Sequence, residues 1–277
     1  MSAAAGRIAR GLLGGYFLLM VVFLYAPVAV LVIFSFNDNT TPTLPLAGFT
    51  THWYHIALGN DLLLAAVKRS AAIAALNGVL ATLLAILAAL ALSAPRVFAR
   101  PAVTALVMLP LVVPYVVLGV GMLVLLKTIG LEQSLAAVLF VHVVVSVPYG
   151  VLVILPRLQT LDPSIQEAAR DLGAGEIAAF VRVTLPLIVP AILSSYLIAF
   201  TISFDEYAIA SFLIPPGDRT FPIFVYSGTK VPASRPELLA IAAVVISISL
   251  VLVVVTEAGR QWVERRQTGS AGADIVG

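Results

Sequence analysis

Long uncharged apolar runs alternate with short polar segments along this chain, and the lengths of the runs set the elements they predict. Residues 11–34 carry no charge, and apolar runs recur at 70–92, 102–126, 134–155, 187–213 and 238–255. Each is close to or beyond the roughly 20 residues that a helix needs to cross a bilayer. The pattern therefore predicts an all-α integral membrane protein with six transmembrane helices. An even number of crossings places both termini on one side. The first run is longer than a signal-peptide core and lacks a small-x-small site at its end, so it reads as an uncleaved span. The segment 35–69 is polar and aromatic, with Trp53 and Tyr54, and reads as a loop with an interfacial belt.

The polar interruptions within the runs are the next signal. The second span holds only Asn77 in an alanine-rich stretch suited to close helix packing. The third contains Pro110, Pro114, Tyr115, Gly119 and Gly121, which must bend or break its hydrogen-bond ladder. Two readings stay open there, a simple kink and a pathway-lining bend that would carry Tyr115. On the fourth span His142, Ser146 and Tyr149 follow i, i+4, i+7 spacing and form one inward stripe. His142 is open to two roles, a packed residue satisfied by Ser146 or a carbonyl, and a pathway group.

The fifth span carries Asp205, Glu206 and Tyr207 near its end. Asp205 lies about 28 Å along a helix from Pro186, which puts it near the outer boundary. Ser194, Thr201 and Asp205 share a helical face. Ionisable residues in a span are costly and point to a pathway, although carboxylates this far out could also reach interfacial water. For a cationic substrate, paired carboxylates beside Tyr207 offer charge and a cation–π face.

Composition sharpens the class. With 61% hydrophobic and 11% charged residues the chain excludes a water-soluble globular domain, and a net charge of +2 carries no nucleic-acid footprint. No cysteine is present, which excludes disulfides, thiolate metal sites and a cysteine nucleophile. His52 and His55 have no third ligand near them in sequence and read as interfacial residues rather than a metal pair. Lys and Arg number ten on the side of the termini, the 93–100 loop and the 157–186 segment, against six on the other. The positive-inside rule makes the first side cytoplasmic.

The 157–186 segment is the longest charged stretch between apolar runs. Asp162 and Pro163 predict a helix start, with a cap followed by a proline at the first helical position. That helix should run through Glu167, Ala168 and Ala169 to about Leu172. Gly173 then permits a left-handed turn, 176–181 forms a second short helix, and Pro186 opens the fifth span. Left to itself the segment reads as an amphipathic connector at the membrane surface.

The spacing Glu167-Ala168-Ala169, Gly173, Val183, Leu185-Pro186 resembles the cytoplasmic signature of permease subunits in bacterial ATP-binding-cassette (ABC) importers, with Val183 where isoleucine is commoner. Ser35-Phe36-Asn37, Gly48-Phe49-Thr50, Trp53-Tyr54, Asp171-Leu172-Gly173-Ala174, the stretch from Phe200 to Glu206, and Pro236-Glu237 extend the likeness over nearly the whole chain. They are similar to the spermidine/putrescine (PotC-like) branch. The resemblance implies a type I ABC importer permease fold in the bacterial inner membrane, with Glu167, Ala168, Ala169, Asp171, Gly173, Leu185 and Pro186 coupling it to an ATPase. It implies as partners a paralogous permease, two copies of the ATPase and an extracytoplasmic solute-binding protein. The substrate would be a polyamine-like or other small organic solute such as an opine. No G-x-x-x-x-G-K-[ST] phosphate loop is present, so no ATP or Mg cofactor is expected in this chain, and hydrolysis would belong to the partner. An ion-gradient transporter is the reading from another class. An intramembrane enzyme would have only His142 with Ser146 to draw on, and lacks an oxyanion site.

Overall fold

The computed structural model describes residues 3–41, 43–94, 99–231, 236–251 and 254, with side chains from residue 11 onward. Residues 256–277, beyond the last apolar run, lie outside them. The described residues cluster into two units, one formed by the chain through Asp61 with Val225–Ser249, the other centred on Leu62–Phe224.

Helix α1 (Ala3–Ser35) opens the first unit and carries no charge from Gly11 onward, with Phe17 and Phe23 exposed. Its C-terminal end is pinned by a small knot. Trp53 Nε1 donates to the carbonyl of Asn37 at 2.9 Å, the Asn37 side chain accepts from the Ala47 amide, and Tyr54 and Ser35 share a 2.6 Å hydroxyl contact. Asn37 pairs with Phe49 in an isolated antiparallel bridge. Trp53 and Tyr54 lie in the first turn of the short helix α2 (His52–Gly59), which ends at the extended Asn60.

Helix α3 (Asp61–Ser93), of 33 residues, belongs to the second unit from Leu62 onward. Sequence alone predicts a loop over the whole of 35–69; α2 and the start of α3 correct that expectation. Asp61 lies in the first turn of α3, where a carboxylate opposes the helix dipole. Arg69, whose charge marks the predicted boundary, bonds instead to Asp218 at 2.6 Å and to the carbonyl of Arg219. One side of α3 is lined by Ala66, Ala74, Ala81, Ala85 and Ala89, all buried, while Leu76, Leu80, Leu83 and Leu87 point outward. Small residues inside and large ones outside is what a helix surrounded by lipid needs, because burying leucine gains little there and close backbone approach gains contacts.

The third predicted span is broken rather than kinked. Helix α4 (Arg100–Met108), a 3₁₀ turn (Leu109–Leu111) and α5 (Tyr115–Thr128) bend by 94°. Pro110 and Pro114 remove two ladder donors within five residues, and Pro114 becomes the residue preceding α5. Helix α6 (Leu135–Gln159) starts at Ser134, whose hydroxyl accepts from the Ala137 amide, and continues one turn past the predicted Leu155. It packs along α9 (Leu185–Phe204).

The fifth span differs twice from expectation. Helix α8 (Glu176–Ala179), a π-turn (Phe180–Thr184) and α9 form one continuous 29-residue helix, so Pro186 does not open a separate element. At the far end α9 stops at Phe204, and α10 (Ala208–Leu213) follows after a break at Asp205–Tyr207, where hydropathy predicts a single span to 213. Helix α11 (Phe221–Gly228) and the apolar helix Pro236–Val251 complete the described chain. Among the described residues, four helices are long and apolar enough to cross a membrane, and the bent pair makes a fifth. The predicted last run, 238–255, is described only to 251 and at 254.

Candidate functional site

Two helix breaks meet in the second unit. Helix α5 packs against α10, and Gly119 lets the backbone of Ile209 come within 3.1 Å of where a Cβ would stand. Tyr115, the first residue of α5, lies in electrostatic reach of Tyr149 of α6 and of Glu206.

Glu206 explains the second break. Its Oε1 accepts from the amide of Ile209 at 2.8 Å, and its Oε2 accepts from that of Ala210 at 3.0 Å. In an unbroken helix those amides would bond to the carbonyls of residues 205 and 206; the carboxylate takes that place and starts α10 afresh. His142 closes the arrangement, with Nε2 3.2 Å from Glu206 Oε2 and Nδ1 2.8 Å from Ser203 Oγ. All three residues are buried.

The inward stripe predicted on α6 is present, but its partners differ. Ser146 does not satisfy His142; its hydroxyl accepts from Asn77 Nδ2 at 2.9 Å, and Asn77 also donates to the carbonyl of Ala199. Asn77 thus bridges α3, α6 and α9. Further along α9, Ser195 meets Thr82 at 3.2 Å. His142 and Ser146 bond to separate partners, so the pair that sequence offered does not form.

Asp205, adjacent to Glu206, is exposed together with Thr201 and Tyr207, and Ser194 on the predicted shared face is half-buried and bonded to the carbonyl of Pro190. Beside this face Tyr196, Phe200 and Phe204 stack along α9 at 6.3 and 5.9 Å, and Phe204 meets Phe221 at 5.8 Å. Residue type alone assigns Asp205 and Glu206 similar roles; the structure turns one outward and commits the other. Ser203 escapes sequence reasoning. Its signal is its position three residues before Glu206, which only the break makes meaningful.

The 157–186 segment folds as expected at its centre. Helix α7 (Pro163–Asp171) is capped by Asp162, whose carboxylate accepts from the Ser164 amide at 2.9 Å. Those bonds to Ser164 hold the Asp162 carboxyl below the usual aspartate range. The C-terminus is a Schellman turn: Gly173 has φ +85°, its amide donates to the carbonyl of Arg170 at 2.8 Å, and the Ala174 amide reaches that of Ala169 at 3.0 Å. Glu167, Ala168 and Asp171 are exposed, Ala169 is half-buried, and Leu172 and Ile177 are 90% and 82% exposed. These two apolar side chains lie either side of Gly173, next in sequence to the exposed Asp171 and Glu176. Leu185 and Pro186 lie in the first turn of α9.

Comparison with known proteins adds an independent observation. Residues 81–269 match the family described as binding-protein-dependent transport system inner membrane component. The chain is 33% identical over 268 residues to a spermidine/putrescine transport system permease protein, PotC, of Shigella flexneri, covering 97% of this chain and 99% of that one. It is 37% identical to the putrescine transport system permease protein PotI of Escherichia coli, over 83% of each chain. Among solved structures, a bacterial ABC transporter involved in the import of the acidic polysaccharide alginate superposes with a TM-score of 0.72 at 16% identity, covering 93% of this chain and 98% of that one. An amino acid ABC transporter with histidines reaches 0.58 at 18% identity, over 77% of this chain and 99% of that one.

Proposed function

Because the chain belongs to the family of inner membrane components of binding-protein-dependent transport systems, we propose that it forms half of the translocation pathway of an ATP-driven importer for a polyamine-like organic cation. The observation that carries this reading is the pairing of an exposed, capped helix bearing the Glu167–Gly173 signature with a continuous helix from Glu176 to Phe204 that ends at Asp205. The first would receive a separate ATPase, and the second would pass its motion to the pathway. A paralogous permease would supply the other half, two ATPase copies would dock on the 157–186 segments, and an extracytoplasmic binding protein would deliver the solute. The termini and the 157–186 segment would face the cytoplasm, in keeping with the positive-inside count.

In the pathway we assign Asp205, Thr201 and Tyr207 to the exposed face that the substrate passes. A carboxylate and an aromatic ring suit an ammonium group, and the identity to spermidine/putrescine and putrescine permeases supports that chemistry. Glu206, His142 and Tyr115 hold the broken helices that present this face.

The test is uptake of radiolabelled putrescine and spermidine by the complete importer in proteoliposomes loaded with ATP. Asp205→Asn should lower uptake at least tenfold while the subunits still co-purify in wild-type proportion. Unchanged uptake by a fully assembled Asp205→Asn importer would remove Asp205 from the pathway.

A further inference from the structure

We propose that Gln166 and Thr184 form a strut that makes the fifth span move with α7, and that both are positioning residues for transport. The inference takes α7 to receive the ATPase, as read above. Gln166 Nε2 donates to Thr184 Oγ1 at 2.7 Å. Thr184 is 1% exposed, so the bond is shielded from competing water.

The need for a strut follows from what joins the two elements. Between α7 and α8 the chain turns at Gly173, which sits at positive φ with no heavy atom within 4 Å of where a Cβ would stand, and Gly175 is equally open. Apart from the two backbone bonds that close the turn onto the end of α7, nothing packs where a side chain at either glycine would stand. The Arg170–Glu176 ion pair spans the same gap at 3.6 Å, but its side chains are 52% and 87% exposed, where such pairs contribute little. A push on α7 would therefore swing it about Gly173 unless a second connection fixes its angle to the span.

Thr184 is where that connection has most effect. It closes the π-turn Phe180–Thr184, in which the Leu185 amide bonds to the carbonyl of Phe180. A π-turn holds one residue more than an α-helical turn and occurs mostly as a single turn inside an α-helix, frequently at a functional position. Gln166, immediately before Glu167, thus ties the docking helix to the π-turn at the base of the span.

The test uses the complete importer and hydrogen exchange before and after trapping with ATP and vanadate. The wild type should show trapping-induced changes in both α7 and α9. Thr184→Val, which keeps the shape and removes the hydroxyl, and Gln166→Leu should keep the change in α7 and reduce that in α9 at least fivefold, with basal ATPase activity and subunit proportion retained. Thr184→Ser should return α9 to within twofold of wild type, and the double variant should be no worse than either single one. A wild-type α9 response in Thr184→Val overturns the strut, as does loss of the α7 response or a Thr184→Ser variant as defective as Thr184→Val, which would indicate packing. If wild-type protein retains no ATPase, the reading of α7 as docking helix fails, and the strut with it.

Discussion

Asp205 and Glu206 are neighbours with nearly the same chemistry, and the fold gives them opposite tasks. Glu206 satisfies two amides and a histidine in a buried site, so its removal strands all three. Glu206→Ala should therefore destabilise the subunit by about 1–3 kcal/mol, the usual cost of orphaned buried polar groups. Thermal unfolding of the detergent-solubilised protein measures it, and Asp205→Ala should leave the transition within about 0.5 kcal/mol, as surface changes do. The sequence alone could not separate the pair. Which carboxylate points inward depends on where α9 ends, and α9 ends where it does because Glu206 takes the amides of Ile209 and Ala210. His142 was legible as an inward residue from its spacing with Ser146 and Tyr149, but its partners come from α9 and from the break beyond it, more than sixty residues on.

Among the elements, those set by local bonds were the most readable. Asp162, Pro163 and Gly173 define α7 through a cap, a first-turn proline and a left-handed residue, all of which act within four or five positions. The continuity from Glu176 to Phe204 was not readable, since Pro186 normally argues for a helix start. A proline inside a helix frees the carbonyl four residues back and crowds it; the π-turn just before Pro186 widens the backbone and absorbs both effects. Close approach of α3, α6 and α9 is equally a matter of packing. At Gly150 an added Cβ would stand 2.6 Å from Ala85 Cβ and 2.6 Å from Ser195 Oγ, and the alanine methyl cannot rotate away. Gly150→Ala should cost about 1–3 kcal/mol through overpacking. Gly121→Ala, with open space around it, should be neutral or slightly stabilising. Comparing the unfolding midpoints of the two variants decides whether these helices touch as described.

Across the whole molecule, hydropathy announced the class and the signature spacing announced the family, while the number and shape of the crossings needed coordinates. A mean hydropathy of +1.07 demands a bilayer, but six apolar runs do not translate into six straight helices when Pro110 and Pro114 divide one of them and Glu206 divides another. At this scale the importer reading is separable from an ion-gradient transporter. Proteoliposomes holding this chain and its paired permease, with a proton or sodium gradient, should show no putrescine uptake above empty vesicles. Adding the ATPase and ATP should start it, and uptake driven by the gradient alone would contradict the importer reading. The uninterrupted helix from Glu176 to Phe204 also sets a mechanical ratio. From the π-turn to Asp205 it is a lever arm about 34 Å long, so a tilt of about 10° at its base sweeps the carboxylate roughly 6 Å sideways. A displacement of that size exceeds the width of an ammonium group, so under the importer function proposed above a small rotation at the α7 end would be enough to offer Asp205 to a substrate or withdraw it.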